Sequence, residues 1–446
     1  MGKPQAALSP APQEGFLENF FKLKENGTNL KTEFIAGLTT FVTMAYILFV
    51  NPDILAKAKM DQGAVFMATA LASAAATLFM GLYANYPFAL APGMGLNAFF
   101  AFVMVGKMGL SWQTALGAVL ISGLVAVVVT LTGLRELLIK AIPISLKHAV
   151  SAGIGLFIAF IGLKEAGISV ANPATYVDLG NLKDPGPLLA IIGMVITGVL
   201  VARKVTGSIL LGVLITTIIG IPLGVTKMPG SLVSAPPSMA PGFLQLDILG
   251  ALKWGLITTI FALFFADLFD TIGTFVGVAG PAGMIDEKGN LKRGNKALFA
   301  DSLGTVIGSL LGTSNTTTYV ESAAGVAAGG RTGLTSVFTA AMFLLAIFFA
   351  PIALAVPAAA TAPALVIVGI LMATALTEID FTDFPTAFPA FLTFILMPLT
   401  FSIATGLALG FIAFVVLYLL MGRGQEVHPV MYGLAVLFIL YFGFAR

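Results

Sequence analysis

Long apolar runs, separated by short polar stretches, recur along almost the whole chain of 446 residues. A helix that crosses a membrane needs roughly 20 mainly apolar residues. The runs therefore predict an all-α polytopic membrane protein with about fourteen transmembrane segments. A shorter apolar run at 430–444 predicts an interfacial or partly inserted C-terminal helix. The predicted segments are 34–50, 62–84, 87–106, 111–131, 147–163, 187–202, 206–224, 250–278, 297–312, 316–328, 333–356, 361–376, 386–400 and 402–421.

The composition agrees with a protein that faces lipid. Hydrophobic residues make up 58% of the chain and charged residues only 10%, whereas a soluble domain carries roughly 25% charged residues. The net charge of +2 gives no reason to expect a nucleic-acid partner. Cysteine is absent and the two histidines, His148 and His428, are far apart. We therefore expect no metal site and no cofactor.

The positions of the basic residues predict the orientation. Lysine and arginine concentrate in the loops that share a side with the polar N-terminal segment 1–33. Because cytoplasmic loops carry an excess of these residues, both termini are expected in the cytoplasm, with the protein in the cell membrane. The tail 422–446 would then be cytoplasmic, with its interfacial helix.

A polar segment rich in proline and serine, 225–249, divides the predicted spans into two sets of seven, 34–224 and 250–421. Short similarities relate the two sets: both open on a Gly-Leu pair followed by threonines, at Gly37 and at Gly255. Since seven is odd, the second set would enter the membrane from the opposite side. This pattern predicts two inverted repeats, as in many secondary transporters. Chance similarity between apolar, glycine-rich segments is the alternative.

The third predicted span of each repeat is interrupted. Pro87, Pro92 and Gly93 break the first, and a polar stretch, 312–325, opens the second. Non-helical backbone at membrane depth is tolerated only where protein or a water-filled cavity surrounds it. Discontinuous segments in corresponding places are typical of a transporter's binding site. We therefore predict that the substrate binds between spans 3 and 10.

Acidic side chains inside the predicted spans are the candidate chemistry, because a carboxylate in a membrane needs a functional or structural reason. Asp267, Asp270 and Thr274 share one helix face. Two carboxylates side by side are costly if both are charged, so Asp267 or Asp270 is expected to hold a proton and couple transport to it. Glu321 lies at the break of span 10 and Asn97 at the matching break of span 3. Both could bind the N–H groups of a flat heterocycle.

Four motifs resemble the AzgA-like adenine/guanine/hypoxanthine permeases, within the wider nucleobase–cation symporter-2 (nucleobase–ascorbate transporter) fold. The resemblance extends from about residue 20 to 420. The motifs are LTTFVTMAYILFVNP at 38–52, APGMGLNAFF at 91–100, DLFDTIGT at 267–274 and TTTYVESAAG at 316–325.

The resemblance implies a core domain of about 34–131 plus 250–356 and a gate domain of about 147–224 plus 361–421. It implies that Glu321 and Asp270 bind the base, with Asp267 as the alternative to Asp270, and that Asn97 contacts the purine. Thr274 stands where the uracil carriers have histidine, which argues against a histidine-based proton step. We expect the ring to stack on Phe99 or Tyr319.

The hypothesis is therefore proton-coupled uptake of purine bases by an elevator-like movement of the core against the gate, in a homodimer. The sequence does not choose between adenine, guanine and hypoxanthine. Two alternatives are the same fold carrying uracil, xanthine or another small solute, and a channel. An enzyme is not expected, and an ATP-driven pump is not supported because the chain lacks a GxxxxGK[ST] loop.

Overall fold

The computed structural model describes residues 15–279, 282, 284 and 291–444. Residues 1–14 of the predicted N-terminal segment lie outside the described residues. Helices predominate, and most coincide with the apolar runs. The first ten helices are α1 (Phe16–Phe21), α2 (Leu30–Met44), α3 (Ile47–Ala56), α4 (Gln62–Phe79), α5 (Met94–Ala98), α6 (Trp112–Leu131), α7 (Leu134–Ala141), α8 (Ile144–Glu165), α9 (Pro185–Ala202) and α10 (Ser208–Gly220).

Two π-helical segments extend α4 and α5, Met80–Ala84 and Phe99–Lys107. The other ten helices are α11 (Ile248–Ala251), α12 (Trp254–Ala279), α13 (Gly294–Leu311), α14 (Ser322–Ala327), α15 (Gly333–Ala346), α16 (Ala350–Ala355), α17 (Ala358–Ala373), α18 (Phe384–Leu399), α19 (Ile403–Leu420) and α20 (Pro429–Phe444). The 3₁₀ turns are Ile347–Phe349, Thr374–Glu378 and Gly424–Glu426. The strands are β1 (Leu90–Pro92), β2 (Ser169–Asn172), β3 (Tyr176–Leu179) and β4 (Thr316–Thr318).

Polar residues at the edges of the apolar runs start several helices. The side chains of Asn29, Asp61 and Ser111 accept hydrogen bonds from backbone N–H groups in the first turns of α2, α4 and α6. Such caps satisfy N–H groups that have no partner within the helix. The sequence therefore sets where these helices begin as well as where they are apolar.

Within the described residues, eight helices are long and apolar enough to cross a membrane. Shorter apolar helices at Met94–Lys107, Ser208–Gly220, Phe384–Leu399 and Pro429–Leu440 add to them. The prediction of a mostly helical, polytopic membrane protein is confirmed. The count of fourteen spans and the two inverted repeats stay predictions.

The expectation of an all-α fold was wrong in one respect, because two small antiparallel sheets are present. Strand β1 pairs with β4, with Ala91 opposite Thr317, and β2 pairs with β3 as a hairpin. Pro87 and Pro92 interrupt helical structure before α5, and three β-branched threonines form β4. The backbone N–H and C=O groups of each broken segment therefore find hydrogen-bond partners in the other segment.

The helices pack in two groups. In one, α8 packs on α17 and α18, and α9 and α10 pack on α17. In the other, α2 and α4 pack on α15, and α13 packs on α4 and α6. The broken segments that contain β1 and β4 belong to the second group, where β4 packs on α12 and α13. The site described below lies where the two groups meet.

The C-terminal helix α20 packs on α19, α12 and α7. The ring of Phe438 is 1% exposed and lies among those of Phe261, Phe265 and Phe411. Because α20 packs against three other helices, it belongs to the helical body of the protein.

Candidate functional site

The two broken segments form the floor of the site. The N–H of Gly93 donates to the carbonyl of Asn315 at 2.8 Å, and the N–H of Tyr319 donates to the carbonyl of Ala89 at 2.9 Å. These bonds extend the pairing of β1 with β4 at both ends. A Cβ at Gly93 would lie 2.9 Å from Cγ2 of Thr317, closer than side chains normally approach. The lack of a side chain at position 93 therefore lets the two breaks meet.

Helix α12 runs beside this crossing and carries two of the predicted acids. Asp270 and Thr274 line a cavity. Asp267, one turn earlier, is 2% exposed and lies outside the cavity lining. Its Oδ1 has no hydrogen-bond partner among the described residues. The two carboxylates on one helix face therefore have different surroundings.

Glu321 stands at the N-terminus of α14, directly after β4. The hydroxyl of Tyr46 donates to Oε1 of Glu321. Tyr46 is fully buried at the junction of α2 and α3. Hydrogen bonds to an ionised carboxylate are among the stronger ones in proteins, so Tyr46 fixes the orientation of the Glu321 side chain. Sequence reasoning missed Tyr46, although a tyrosine within an apolar run was a signal that it has a buried polar partner.

The cavity has a volume of about 590 Å³, which is within the range of roughly 300–1,000 Å³ for small-molecule sites. One wall comes from α12 and the two breaks, and the other from α8, α17 and the turn that follows α17. Among its described lining residues, none is lysine, arginine or histidine. The lining residues are Gly93, Met94, Gly95, Ser151, Ile154, Ile158, Asp270, Thr274, Thr318, Tyr319, Val320, Glu321, Val368, Leu371, Met372, Thr374, Ala375, Thr377 and Glu378.

Four of the seven predicted site residues line this cavity: Asp270, Thr274, Tyr319 and Glu321. Tyr319 presents an aromatic ring to the cavity, and its hydroxyl donates to the carbonyl of Pro92. Of the two rings considered for stacking, only Tyr319 is among the lining residues.

Asn97, Asp267 and Phe99 lie outside the lining. Asn97 is fully buried. Its Oδ1 accepts a hydrogen bond from the hydroxyl of Ser314, and its Nδ2 donates to the carbonyl of Pro92 at 3.4 Å. Phe99 is 4% exposed and packs in the apolar core. In this conformation, Asn97 joins the two breaks and Phe99 supports them from behind.

Glu378 is a cavity residue that sequence reasoning did not select. It ends the turn Thr374–Glu378 and is exposed, as expected for a residue between spans. It also lines the cavity. A third carboxyl therefore faces the same space as Asp270 and Glu321, at its solvent-exposed edge.

Behind the cavity lies a buried ion pair that the sequence analysis also missed. Asp301 on α13 and Arg135 on α7 are each 1% exposed, and Nη2 of Arg135 lies 3.1 Å from Oδ2 of Asp301. Asp301 lies inside the predicted span 297–312, so its carboxylate was a signal that the sequence analysis did not use, whereas Arg135 stands between two predicted spans and gave none. A basic group from outside the predicted spans therefore pairs with a buried acid of the helical body.

The predicted span 34–50 ends one residue before Asn51. Instead, α3 continues through Pro52 to Ala56. The amide of Asn51 is fully buried and donates to the hydroxyls of Thr69, at 2.7 Å, and Thr313, at 2.8 Å. These bonds tie α3 to α4 and to the start of the second break.

Apolar helices that enclose two mutually paired backbone breaks, beside an acid-lined cavity, define a membrane transporter. The fold is that of the transmembrane domain of the bicarbonate transporter BicA from a cyanobacterium. The TM-score is 0.66 at 18% sequence identity, covering 85% of this chain and 97% of that chain. The chain belongs to the family described as Permease family (Xan_ur_permease), whose model matches residues 31–409.

Two relatives are similar over nearly their whole length. The Guanine/hypoxanthine permease PbuG of Bacillus subtilis (strain 168) is 50% identical over 441 residues, covering 96% of this chain and 100% of the relative. The Adenine permease AdeP of Escherichia coli (strain K12) is 46% identical over 427 residues, covering 96% of each. The resemblance inferred from the four motifs is confirmed. The protein is an integral membrane protein of the cell membrane and a permease, not an enzyme.

Proposed function

We propose that this permease carries purine nucleobases into the cell together with protons. The observation that carries the proposal is the cavity lined by Asp270, Tyr319 and Glu321, without a basic side chain among its described lining residues. Carboxylates accept hydrogen bonds from ring and exocyclic N–H groups, and the tyrosine ring offers a stacking surface. The names of the relatives, guanine/hypoxanthine and adenine permeases, support the same class of substrate.

The binding mode follows from the positions of these groups. Glu321, oriented by Tyr46, accepts hydrogen bonds from one edge of the purine, and Asp270 accepts from another. Tyr319 packs against the face of the ring. Each hydrogen bond to a charged acceptor contributes roughly 1.5–3 kcal/mol. Guanine, hypoxanthine and adenine all present N–H groups, so the choice among them depends on finer contacts.

We assign the transported proton to Asp267 and substrate binding to Asp270. Asp270 lines the cavity, whereas Asp267 is buried behind it with Oδ1 unpartnered among the described residues. A buried charge with an unsatisfied oxygen is costly, and binding a proton removes the charge. In this scheme, a proton on Asp267 lowers the cost of moving the loaded site through the membrane.

The movement that we propose is elevator-like. In this scheme the chain has fourteen spans in two inverted repeats, with cytoplasmic termini, and forms a homodimer through the gate. The group that contains α12 and both breaks is the core and carries the substrate. The group that contains α8 and α17 is the gate. The cavity between the two groups supports this division, because a substrate at that boundary changes sides when one group moves against the other.

The test is uptake of labelled hypoxanthine by cells that lack their own purine permeases. Glu321→Gln should abolish most of the uptake, and a protonophore should reduce uptake by the wild type. Glu426→Gln, on the exposed turn before α20, is the matched control and should transport normally at equal abundance in the membrane. Uptake that neither the Glu321 substitution nor the protonophore affects would reject the mechanism.

Competition by unlabelled adenine, guanine, xanthine and uracil distinguishes purine transport from the same fold with another cargo. Competition by uracil or xanthine alone would favour that alternative. The membership of a permease family does not support the channel alternative.

A further inference from the structure

Arg135 is the largest of the fully buried side chains in the described structure. It stands in the first turn of α7, the short helix that connects α6 with α8. Burying a guanidinium is costly unless its charge is paired and its donors are satisfied. The position of Arg135 therefore calls for an explanation in terms of its partners.

Most of those partners lie on α13; the hydroxyl of Thr130 on α6 adds a longer hydrogen bond at 3.4 Å, and Nε has no partner among the described residues. Nη2 of Arg135 lies 3.1 Å from Oδ2 of Asp301. Nη1 donates to the hydroxyl of Ser302 at 2.7 Å and to the carbonyl of Leu298 at 3.0 Å. Three positions on consecutive turns of α13 therefore hold the guanidinium, which joins α7 to the helical group that contains both breaks.

Asp301 also forms hydrogen bonds with residues in or next to the binding site. Its Oδ1 accepts hydrogen bonds from the N–H and the hydroxyl of Thr318, both at 2.9 Å. Its Oδ2 accepts one from the hydroxyl of Thr271 at 2.7 Å. Thr318 lines the cavity, and Thr271 directly follows Asp270 on α12. One carboxylate thus fixes the strand on one side of the substrate and the helix turn on another.

We propose that Arg135 and Asp301 form a positioning pair for the substrate: they hold Thr318 and the Asp270 turn of α12 in the geometry that binds the base. The pair also connects that geometry to α7, the segment between the two helical groups. Neither residue is among those lining the cavity, so the pair acts through Thr318 and Thr271. This inference rests on the proposed purine transport.

Three charge variants test the pair: Arg135→Gln, Asp301→Asn and the double variant. Arg135→Gln leaves the Asp301 carboxylate buried and unpaired, so the KM for hypoxanthine should rise by about tenfold or more. The double variant leaves no charge unpaired, and the amide oxygen that Asp301→Asn provides can still accept from Thr318. Its KM should therefore be closer to the wild-type value than that of either single variant. The control is Arg203→Gln, at the exposed end of α9, with an unchanged KM.

Thr271→Val is the variant least expected to disturb folding, so a change in its KM is the easiest to interpret. It keeps the side-chain volume and every charge. It removes the hydrogen bond to Oδ2 of Asp301 and the longer one, at 3.2 Å, between the hydroxyls of Thr271 and Thr317. The pair's positioning role predicts a KM raised about threefold to tenfold, as expected for loss of one hydrogen bond to a charged group, with Vmax per transporter nearly unchanged.

The outcomes separate the possible failures. Less transporter in the membrane with an unchanged KM, in Arg135→Gln or in Thr271→Val, would show a purely structural role and overturn the inference. If the charge variants do not reach the membrane, the KM of Thr271→Val decides alone. A wild-type protein without saturable purine uptake would instead refute the proposed function.

Discussion

Gly95 on α5 faces Ile154 on α8 so closely that a Cβ at position 95 would lie 2.6 Å from Cγ2 of Ile154. Both residues line the cavity, on opposite walls. The contact therefore joins the proposed core to the proposed gate beside the substrate. A glycine here lets the two groups approach closely.

Gly95→Ala should slow transport, because the new methyl group forces α5 away from α8 in this conformation. We expect Vmax to fall several-fold and the Gly95→Ala, Ile154→Ala double variant to recover part of it, measured as initial hypoxanthine uptake per transporter. Gly198→Ala on α9, where a Cβ meets nothing within 4 Å, is the matched control. Normal rates in Gly95→Ala would show that this contact does not matter for the transport cycle.

Tyr46→Phe removes the hydroxyl that donates to Glu321 and keeps the ring. The KM for hypoxanthine should rise by about tenfold, because a hydrogen bond to a charged acceptor is lost and Glu321 loses its orientation. Tyr83→Phe, on a half-exposed ring in the π-helical segment that extends α4, serves as the control. The idea fails if both variants have the wild-type KM.

Asp267→Asn and Asp270→Asn should have different effects. Asp270→Asn removes a charged acceptor from the cavity and should raise the KM for the base. Asp267→Asn should leave equilibrium binding nearly intact and make residual uptake insensitive to external pH and to a protonophore. The measurement is hypoxanthine uptake between pH 5 and 8, in steps of about one pH unit. Asp184→Asn, directly before α9, is the control. If uptake by Asp267→Asn remained sensitive to pH, proton coupling would be assigned to Asp270 instead.

Asp247 offers a pH-dependent test of stability outside the membrane spans. Hydrogen bonds from the N–H of Gly250 and the hydroxyl of Thr114 hold the pKa of Asp247 below its usual value. A lowered pKa in the folded state stabilises the fold above the unfolded-state pKa of about 3.9, and the effect is lost as the pH falls through the folded-state pKa. Asp247→Ala should therefore lower the apparent melting temperature at neutral pH, and the difference from wild type should shrink below about pH 4. An equal difference at all pH values would contradict this.

The apolar runs and the breaks were predictable because each depends on residue types that are close in the sequence. Twenty apolar residues in a row, or Pro92 followed by Gly93, restrict the backbone locally. The shared face of Asp267 and Asp270 follows in the same way from helical periodicity. The pairing of β1 with β4 did not follow, because it joins segments more than 200 residues apart.

The missed residues share one property: their role depends on a partner that is distant in sequence. Arg135 stands in a short polar stretch typical of a loop, and only its contact with Asp301 shows that it is buried. Tyr46 and Glu321 are likewise 275 positions apart. Asn97 was predicted to face the substrate, yet its amide bonds to the second break, since Ser314 lies within reach. Local sequence does not specify such contacts.

A structure of the protein with hypoxanthine bound tests the proposed binding mode most directly. We expect density for the base in the cavity between the two helical groups, with its N–H groups within hydrogen-bond distance of Glu321 and Asp270 and its face against Tyr319. A base bound elsewhere, or one in this cavity without a contact to either carboxylate, would contradict that binding mode.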